Sequence, residues 1–381
     1  MTTLGDVVSA LEAVYPPGTA ESWDAVGLVC GDRAEPVSTA LFCVDVTQST
    51  VDEAVEVGAQ LLVAHHPLLL RGVTGVPADD PKGALVHRLI RTGIGLFTAH
   101  TNADAANPGV SDALAEALGL TVTGPLTPAS DRELDVLTTY VPRADAEAVL
   151  AALHAAGAGT LGDYRDTAWV VDGTGRFRPV GGANPTIGAL GELEQVAETR
   201  IEIVLDRRLR ASVVAALRAA HPYEEVAFNL NEIAALPGDT GIGRIGELPE
   251  PEPLRVFADR VAAALPATAW GVRAAGDPER PIRRVAVCGG SGDGYLAAAR
   301  RAGVDAYVTS DLRHHPAGDH LAAGGPALVD VAHWAGEWPW CGQAAGVVTT
   351  AFGGTVKALV SARRTDPWTV GATTKSGGPH K

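Results

Sequence analysis

The chain has 381 residues, 46% of them hydrophobic, which allows two or three domains and a sizeable core. Its formal net charge of −15 opposes non-specific binding to nucleic acid or to an anionic membrane surface. No apolar run is long enough to span a bilayer, and MTTLGDVVSALEAVYPPG lacks the basic start and apolar centre of a signal peptide, so a cytoplasmic location is expected.

The N-terminal stretch reads as a short amphipathic helix ended by Pro16 and Pro17. Strand-like runs at 40–46, 59–66 and 94–100 then alternate with helical ones at 48–58, 82–93 and 111–119. That alternation predicts a largely parallel sheet covered on both faces. A different order follows. Strand ELDVLTTYVP, helix ADAEAVLAALHAAG, extended TAWVVDG and TRIEIVLD, helix RLRASVVAALRAAH and extended PYEEVAFNLNEI give strand–helix–strand twice, as in a ferredoxin-like α+β unit. Beyond the Gly-Pro-rich GDTGIGRIGELPEPEP the first alternation resumes, through LRVFADRVAAALP, RRVAVCG, GYLAAARRAG, AYVTSD and ALVDVAH. The expected architecture is one α/β domain built from residues 1–128 and 237–372, interrupted by a ferredoxin-like insert at 129–236, with a polar, disordered tail at 373–381. Cys30, Cys43, Cys288 and Cys341 form no C-x-x-C pair, so free thiols in apolar surroundings are expected rather than a thiolate metal site.

Three strand ends carry the candidate chemistry. His65 and His66 close one strand, and Pro67 after them favours the backbone turn that lets neighbouring side chains approach one place. In AHTNAD, His100 closes the next strand and Asp104 lies four residues on, readable as a ligand or as a cap before Asn107-Pro108. In VDVAHWAGEWP, His333 ends an apolar strand and Glu337 follows by four, so a helical turn would put both on one face. Glu337 reads equally as a first-turn residue stabilising a helix dipole. Successive ends of parallel strands gather on one edge, where α/β sites form. Imidazole and carboxylate suit zinc, iron, manganese or cobalt. Five or six such groups are too many for one open zinc but suit two ions roughly 3.5–4 Å apart, with Asp104 the candidate bridge. His100 is the candidate catalytic residue, either ligating or orienting water.

Other features are weaker. Gly241–Gly246 matches G-x-G-x-x-G, but no strand precedes it closely and prolines follow. Gly289, Gly290, Ser291 and Gly292 follow a strand and open a helix, so their amides could hold an anion such as a phosphate, or simply make a tight, closely packed turn. Asp45 reads first as a helix cap. Asp24 is either structural or lines the site, His314-His315-Pro316 is a second His-His-Pro segment, and Glu224 and Glu225 suit a solvated strand start or a subunit contact.

WDAVGL (23–28), VDVT (44–47), AHHPLLLRG (64–72), TAHTNAD (98–104), GIGRIGEL (241–248), VCGGSG (287–292) and HWAGE (333–337) together resemble the GTP cyclohydrolase 1 type 2 homologue family, the Nif-three-like dinuclear metal proteins, over nearly the whole chain. The resemblance implies two divalent ions on His65, His66, Asp104, His333 and Glu337. It also implies a toroidal homohexamer with its metal sites facing an internal cavity, and an insert akin to CutA and the PII signal proteins. The chain departs from the family's usual pattern at Ala25, where Asn is common, and in TSDLRHHPAGDH. The function it implies is metal-dependent hydrolysis of GTP or another purine nucleotide. The alternative is a non-enzymatic scaffold for metal storage, delivery or sensing, with the insert as a regulatory lid.

Overall fold

Residues 1–130 and 133–372 are described by the computed structural model, so the tail expected at 373–381 lies outside the described residues. Two units share the chain: Met1–Ala129 joined by the chain from Asp239 onward, and Ser130–Gly238 between them.

The first unit opens with α1 (Leu4–Val14), whose cap is reciprocal: Asp6 N–H donates to Thr3 Oγ1 and Thr3 N–H donates to Asp6 Oδ2. Then come β1 (Gly27–Cys30), β2 (Thr39–Cys43), α2 (Gln48–Glu56), β3 (Leu61–Ala64), α3 (Pro81–Arg91), β4 (Gly95–Thr98), α4 (Thr101–Ala105), α5 (Val110–Ala117) and β5 (Thr121–Ser130). The insert holds β6 (Leu134–Pro142), α6 (Ala146–Ala155), β7 (Trp169–Phe177), β8 (Glu194–Asp206), α7 (Arg210–Ala220) and β9 (Phe228–Glu232). The first unit resumes with β10 (Pro237–Pro253), α8 (Leu254–Ala264), β11 (Val272–Ala275), β12 (Pro281–Ser291), α9 (Leu296–Ala302), β13 (Ala306–Ser310), α10 (His314–Ala322), β14 (Ala327–Val331), α11 (His333–Phe352) and β15 (Lys357–Val360).

The first unit has two mixed sheets where the alternation suggests one. In the order β1-β4-β3-β2-β15, the last four strands run parallel and β1 is antiparallel to β4. In the order β11-β14-β13-β12-β10-β5, only β12, β13 and β14 are mutually parallel. The reason lies in α11. Its Trp334, Glu337, Trp340, Cys341, Ala344, Ala345 and Val348 are buried, while Gly342, Gly346, Thr349 and Thr350 on the other side are exposed. It packs on β2 and β15 of one sheet and on β12 and β13 of the other, with α1 and α5 beside it. One core cluster therefore runs through Leu4, Phe42, Leu114, Val287, Trp340 and Val348.

Gly241–Gly246, which reads as a loop, lies inside the 17-residue strand β10. A Cβ on Gly241 would lie 2.2 Å from the Thr127 carbonyl oxygen, so only glycine lets β10 come this close to β5. Arg244 between these glycines is 1% exposed. Its Nε donates to Asp112 Oδ1 at 2.9 Å and its Nη2 faces Oδ2 at 2.8 Å. The remaining donors meet the carbonyls of Gly241, Gly243 and Ala106. Asp112 also accepts from Gly109 N–H at the start of α5. A bidentate ion pair thus ties β10 to α5.

The insert is a four-stranded antiparallel sheet in the order β7-β8-β6-β9, the strand order of a ferredoxin-like unit. Leu137, Val141, Ile201, Ile203 and Leu205 alternate onto the face that packs against Val149, Leu153, Val213 and Leu217 of α6 and α7. Among the described residues no helix is long and apolar enough to cross a membrane.

Removing one member of a buried ion pair strands the other. Arg244→Met should therefore cost roughly 3–5 kcal/mol, read as a lower urea midpoint. An unchanged midpoint would exclude this pair as an anchor.

Candidate metal centre

The strand ends converge. His65 and His66 continue β3, with their N–H groups donating to the Cys43 and Val44 carbonyls at 3.1 and 2.8 Å. His100 is the N-cap of α4, which carries Asp104. The helical turn that pairs His333 with Glu337 is the first turn of α11, and it places His333 Nε2 3.0 Å from Glu337 Oε1. Two of these ends belong to one sheet and the third to the other. The site is built between sheets rather than along one sheet edge.

Each imidazole is fixed through its Nδ1. His65 Nδ1 lies 2.8 Å from the Ala99 carbonyl oxygen, His66 Nδ1 2.7 Å from Asp45 Oδ1, His100 Nδ1 2.8 Å from Asp24 Oδ1 and His333 Nδ1 2.7 Å from Asp311 Oδ2. All four partners accept, so Nδ1 carries a proton and Nε2 is the atom that offers a lone pair to an ion once any proton of its own has left. This is how metal-binding imidazoles are oriented and made more basic.

The Nε2 atoms meet around Glu337, which is 3% exposed. Oε2 lies 3.1 Å from His66 Nε2, and Oε1 lies 3.5 Å from His65 Nε2. His66 Nε2 and His333 Nε2 are 3.3 Å apart. Asp104 Oδ1 is 3.7 Å from His65 Nε2. Glu337, more than Asp104, therefore holds the central position. His65, His66 and His100 form one group whose ligand atoms lie within 4.8 Å of one another, and His66, His333 and Glu337 form a second. His65 Nε2 is buried with no hydrogen-bond partner among the described residues, and Glu337 Oε2, though 3.1 Å from His66 Nε2, is buried without a hydrogen bond of good geometry. Buried polar atoms are normally satisfied, and lone pairs converging at this range call for a cation. The donor set is imidazole and carboxylate, so it fits divalent ions such as zinc, iron, manganese or cobalt.

The electrostatics agree. Burial works against a charge on His66, yet Glu337 and Asp45 push it up to about 11. Burial likewise opposes Glu337 and Asp311 at His333, which rises to about 10. Glu337 is held well below the usual carboxylate range, because His66, His333 and His65 outweigh its burial. Burial lifts Asp104 to about 6 against the pull of His65. Burial, then His65, lowers His100.

The glycine-rich segment lies directly behind the site. Gly290 has φ +67°, and a Cβ there would sit 2.3 Å from Glu337 Oε1 and 3.3 Å from His333 Nε2. A Cβ on Gly289 would press Val110 and one on Gly292 would press Thr309 and Tyr307. Close packing thus explains these glycines, while Ser291 is exposed. Asp45 does not cap α2; Thr47 does, paired with Thr50. Asp24 is both structural and part of the site, since Oδ2 accepts from Thr101 N–H at 3.0 Å while Oδ1 holds His100. Asp311, missing from the candidate ligands, sits at φ +58°. Its signal was its place in TSD at the end of a third parallel strand. His314 and His315 are exposed at the start of α10 and join neither ligand group. Glu224 and Glu225 are exposed within the insert. The cysteines are free, and Cys43, Cys288 and Cys341 are buried.

Comparison with known proteins gives a consistent set. The family model for Duf34/NIF3 (NGG1p interacting factor 3) matches residues 2–367. A Mycobacterium tuberculosis protein named GTP cyclohydrolase 1 type 2 homolog is 57% identical, covering 96% of this chain and 96% of its own. A Bacillus subtilis protein of the same name is 39% identical, covering 86% and 87%. Among solved structures, a Bacillus cereus protein related to NIF3 aligns with TM-score 0.67 at 36% identity, covering 96% of this chain and 98% of its own. A Staphylococcus aureus protein, SA1388, aligns with TM-score 0.76 at 28% identity and the same coverage, 96% and 98%.

Two tests follow. Asp45→Asn and Asp311→Asn loosen the orienting hydrogen bonds and should each weaken divalent-ion binding roughly 10–100-fold in chelator competition; unchanged affinity would show that the anchors do not matter. With His66 at about 11 and His333 at about 10, the metal-free cluster holds protons at neutral pH. Loading must expel them, so apparent affinity should climb with pH above 7, and calorimetry in buffers of different ionisation enthalpy should show proton release. Uptake with no proton release would contradict this charge state.

Proposed function

This chain belongs to the Duf34/NIF3 family, and from that premise we propose that it holds two divalent ions on His65, His66, Asp104, His333 and Glu337 and hydrolyses a purine nucleotide of the GTP class. The observation that carries the metal reading is the convergence of lone-pair Nε2 atoms on buried Glu337, each ring fixed from behind. The substrate class rests on the name of the relatives, GTP cyclohydrolase 1 type 2 homolog.

When bound, such an ion pair supplies Lewis acidity and lowers the pKa of water toward neutrality. Everything else falls to the chain's own groups. Asp45, Asp311 and the Ala99 carbonyl hold the imidazoles against reorganisation. His100, fixed by Asp24 and with its ring 5.2 and 5.6 Å from those of His65 and His66, is placed to carry a proton at the rim of the site. Its lowered pKa keeps it neutral near pH 7, the state in which it can accept one. Hydrolysis at C8 of a purine consumes two waters: the first opens the imidazole ring to a formamide and the second releases formate. The amides of Gly289 and Gly292 are taken, donating to Ser111 Oγ at 3.3 Å and to the Ser310 carbonyl at 3.4 Å, so the segment Gly289–Gly292 is not offered as a phosphate contact.

The assembly is proposed as a cytoplasmic homohexameric ring with the metal sites facing its cavity, and the insert as a CutA/PII-like lid. A second reading, metal storage, delivery or sensing, draws on the outer side of the cluster. The side chains of His333 and Asp311 are 34% and 53% exposed, which suits ion exchange.

The decisive assay is GTP turnover with product identification by metal-loaded protein beside Asp104→Ala. Formate release that falls by at least ~100-fold in the variant is expected if the pair acts on water. Absence of formate from protein with full metal occupancy would end the cyclohydrolase reading and favour the metal-handling one.

A further inference from the structure

Next to the metal cluster, and lined in part by His66 and His333, lies a cavity of about 350 Å³. Its walls include Trp270, Trp334 and Trp368, and its polar groups are Asp45, Asp311 and Asp366. No lysine or arginine lines it. Asp45 and Asp311 are engaged with imidazoles, but Asp366 is not. It is 6% exposed, and its Oδ2 is buried with no hydrogen-bond partner among the described residues. A buried carboxylate oxygen left in this condition needs a donor from elsewhere.

The segment that delivers Asp366 is held in place on purpose-built contacts. After β15, Ser361 N–H donates to the Phe42 carbonyl at 2.8 Å and Ala362 N–H to Glu53 Oε1 at 3.0 Å. Thr365 Oγ1 donates to Asp45 Oδ2, the carboxylate whose other oxygen orients His66. The segment therefore ends against the metal site. It brings Trp368 to within 6.3 Å of Trp270, ring centre to ring centre, and both indoles keep exposed surface, 60% and 39%. Exposed tryptophans at a cavity mouth lined by acids offer apolar faces and hydrogen-bond acceptors, and the Arg273 guanidinium covers part of Trp270, 4.4 Å from its ring centre.

We infer that this cavity is the ring subsite of the proposed hydrolase: it takes a planar, amino-substituted heteroaromatic ring, stacked against the indoles with its N–H edge toward Asp366, and it leaves the phosphates outside. A carboxylate accepts well from two adjacent N–H groups, and base–indole stacking tolerates any planar ring. Asp45 and Asp311 are matched by His66 and His333, which leaves Asp366 as the lining carboxylate with no ion-pair partner among the described residues, and a phosphate set against it finds no matching charge. The inference rests on the nucleotide reading above, and it orients that nucleotide base-first beside the His66–His333 edge.

The test is calorimetric titration of the metal-loaded full chain with guanosine, GTP and unsubstituted purine riboside, with metal content measured for each protein. Guanosine should bind, GTP should match it within about three-fold, and purine riboside should bind about ten-fold more weakly. Asp366→Asn and the surface change Trp368→Ala should each weaken guanosine about ten-fold with metal content unchanged. Guanosine binding that is equal in both variants, or GTP binding far tighter than guanosine, would overturn the subsite. Formate release is read in parallel. Asp366-dependent guanosine binding without formate keeps the subsite and removes the hydrolase reading. Formate release with an unaltered KM in Asp366→Asn keeps the hydrolase reading and removes the subsite.

Discussion

Glu337 is the constraint on which the rest of the first unit depends. It is the one carboxylate of α11, a helix with no lysine, arginine or aspartate in 20 residues, packed between two sheets. An ionised carboxylate in such surroundings costs several kcal/mol unless it is matched by opposite charge and hydrogen bonds. The chain supplies the match by bringing His65, His66 and His333 to its two oxygens. Without a metal, protons on His66 and His333 provide the compensating charge; a divalent pair would take over that role. Either way the burial of Glu337 forces the strand ends together, because no single sheet carries enough partners.

That requirement explains features that look unrelated in sequence. Gly290 must lack a side chain, since its φ is positive and a Cβ would occupy the space of Glu337 Oε1. Arg244 is buried beside Asp112 of α5, which packs on α11, and β10 lies beside β12, which also packs on α11, so an unmatched charge there would loosen the packing. Asp24, Asp45 and Asp311 lie outside the cluster, yet each fixes one imidazole, and the Ala99 carbonyl fixes the fourth, which turns four floppy rings into a set of aimed donors.

Much of this was legible in the sequence because it depends on local order. Strand ends carrying histidine, an i,i+4 His-Glu pair and the switch from α/β alternation to a strand–helix–strand doublet are all short-range signals. What escaped was long-range. The second sheet was hidden because β10 is rich in glycine and proline and reads as a loop, and its strand character comes from pairing with β12. Strands β1, β11 and β15 are four-residue strands at sheet edges, without the fully buried apolar run that marks the equally short β3 and β4. Asp45 illustrates the same limit. Beside Thr47 it looks like a helix cap, and only the tertiary placement of His66 gives it another partner.

The cluster has two unlike poles, and the difference bears on what it can do. At one pole His65 is fully buried against the Ala99 carbonyl, with Glu337 and Asp104 beside it. At the other, His66 and His333 border an open cavity whose acids and indoles contribute nothing to ion ligation beyond orienting the rings. A storage site needs tight donors and an exit, and an aromatic cavity adds nothing to either. A catalytic site needs one closed side, to fix the ions, and one open side shaped for an organic molecule. The asymmetry between a buried pole and a tryptophan-walled one is the feature on which the proposed hydrolase reading draws, and the metal-handling reading leaves the tryptophan wall without a role.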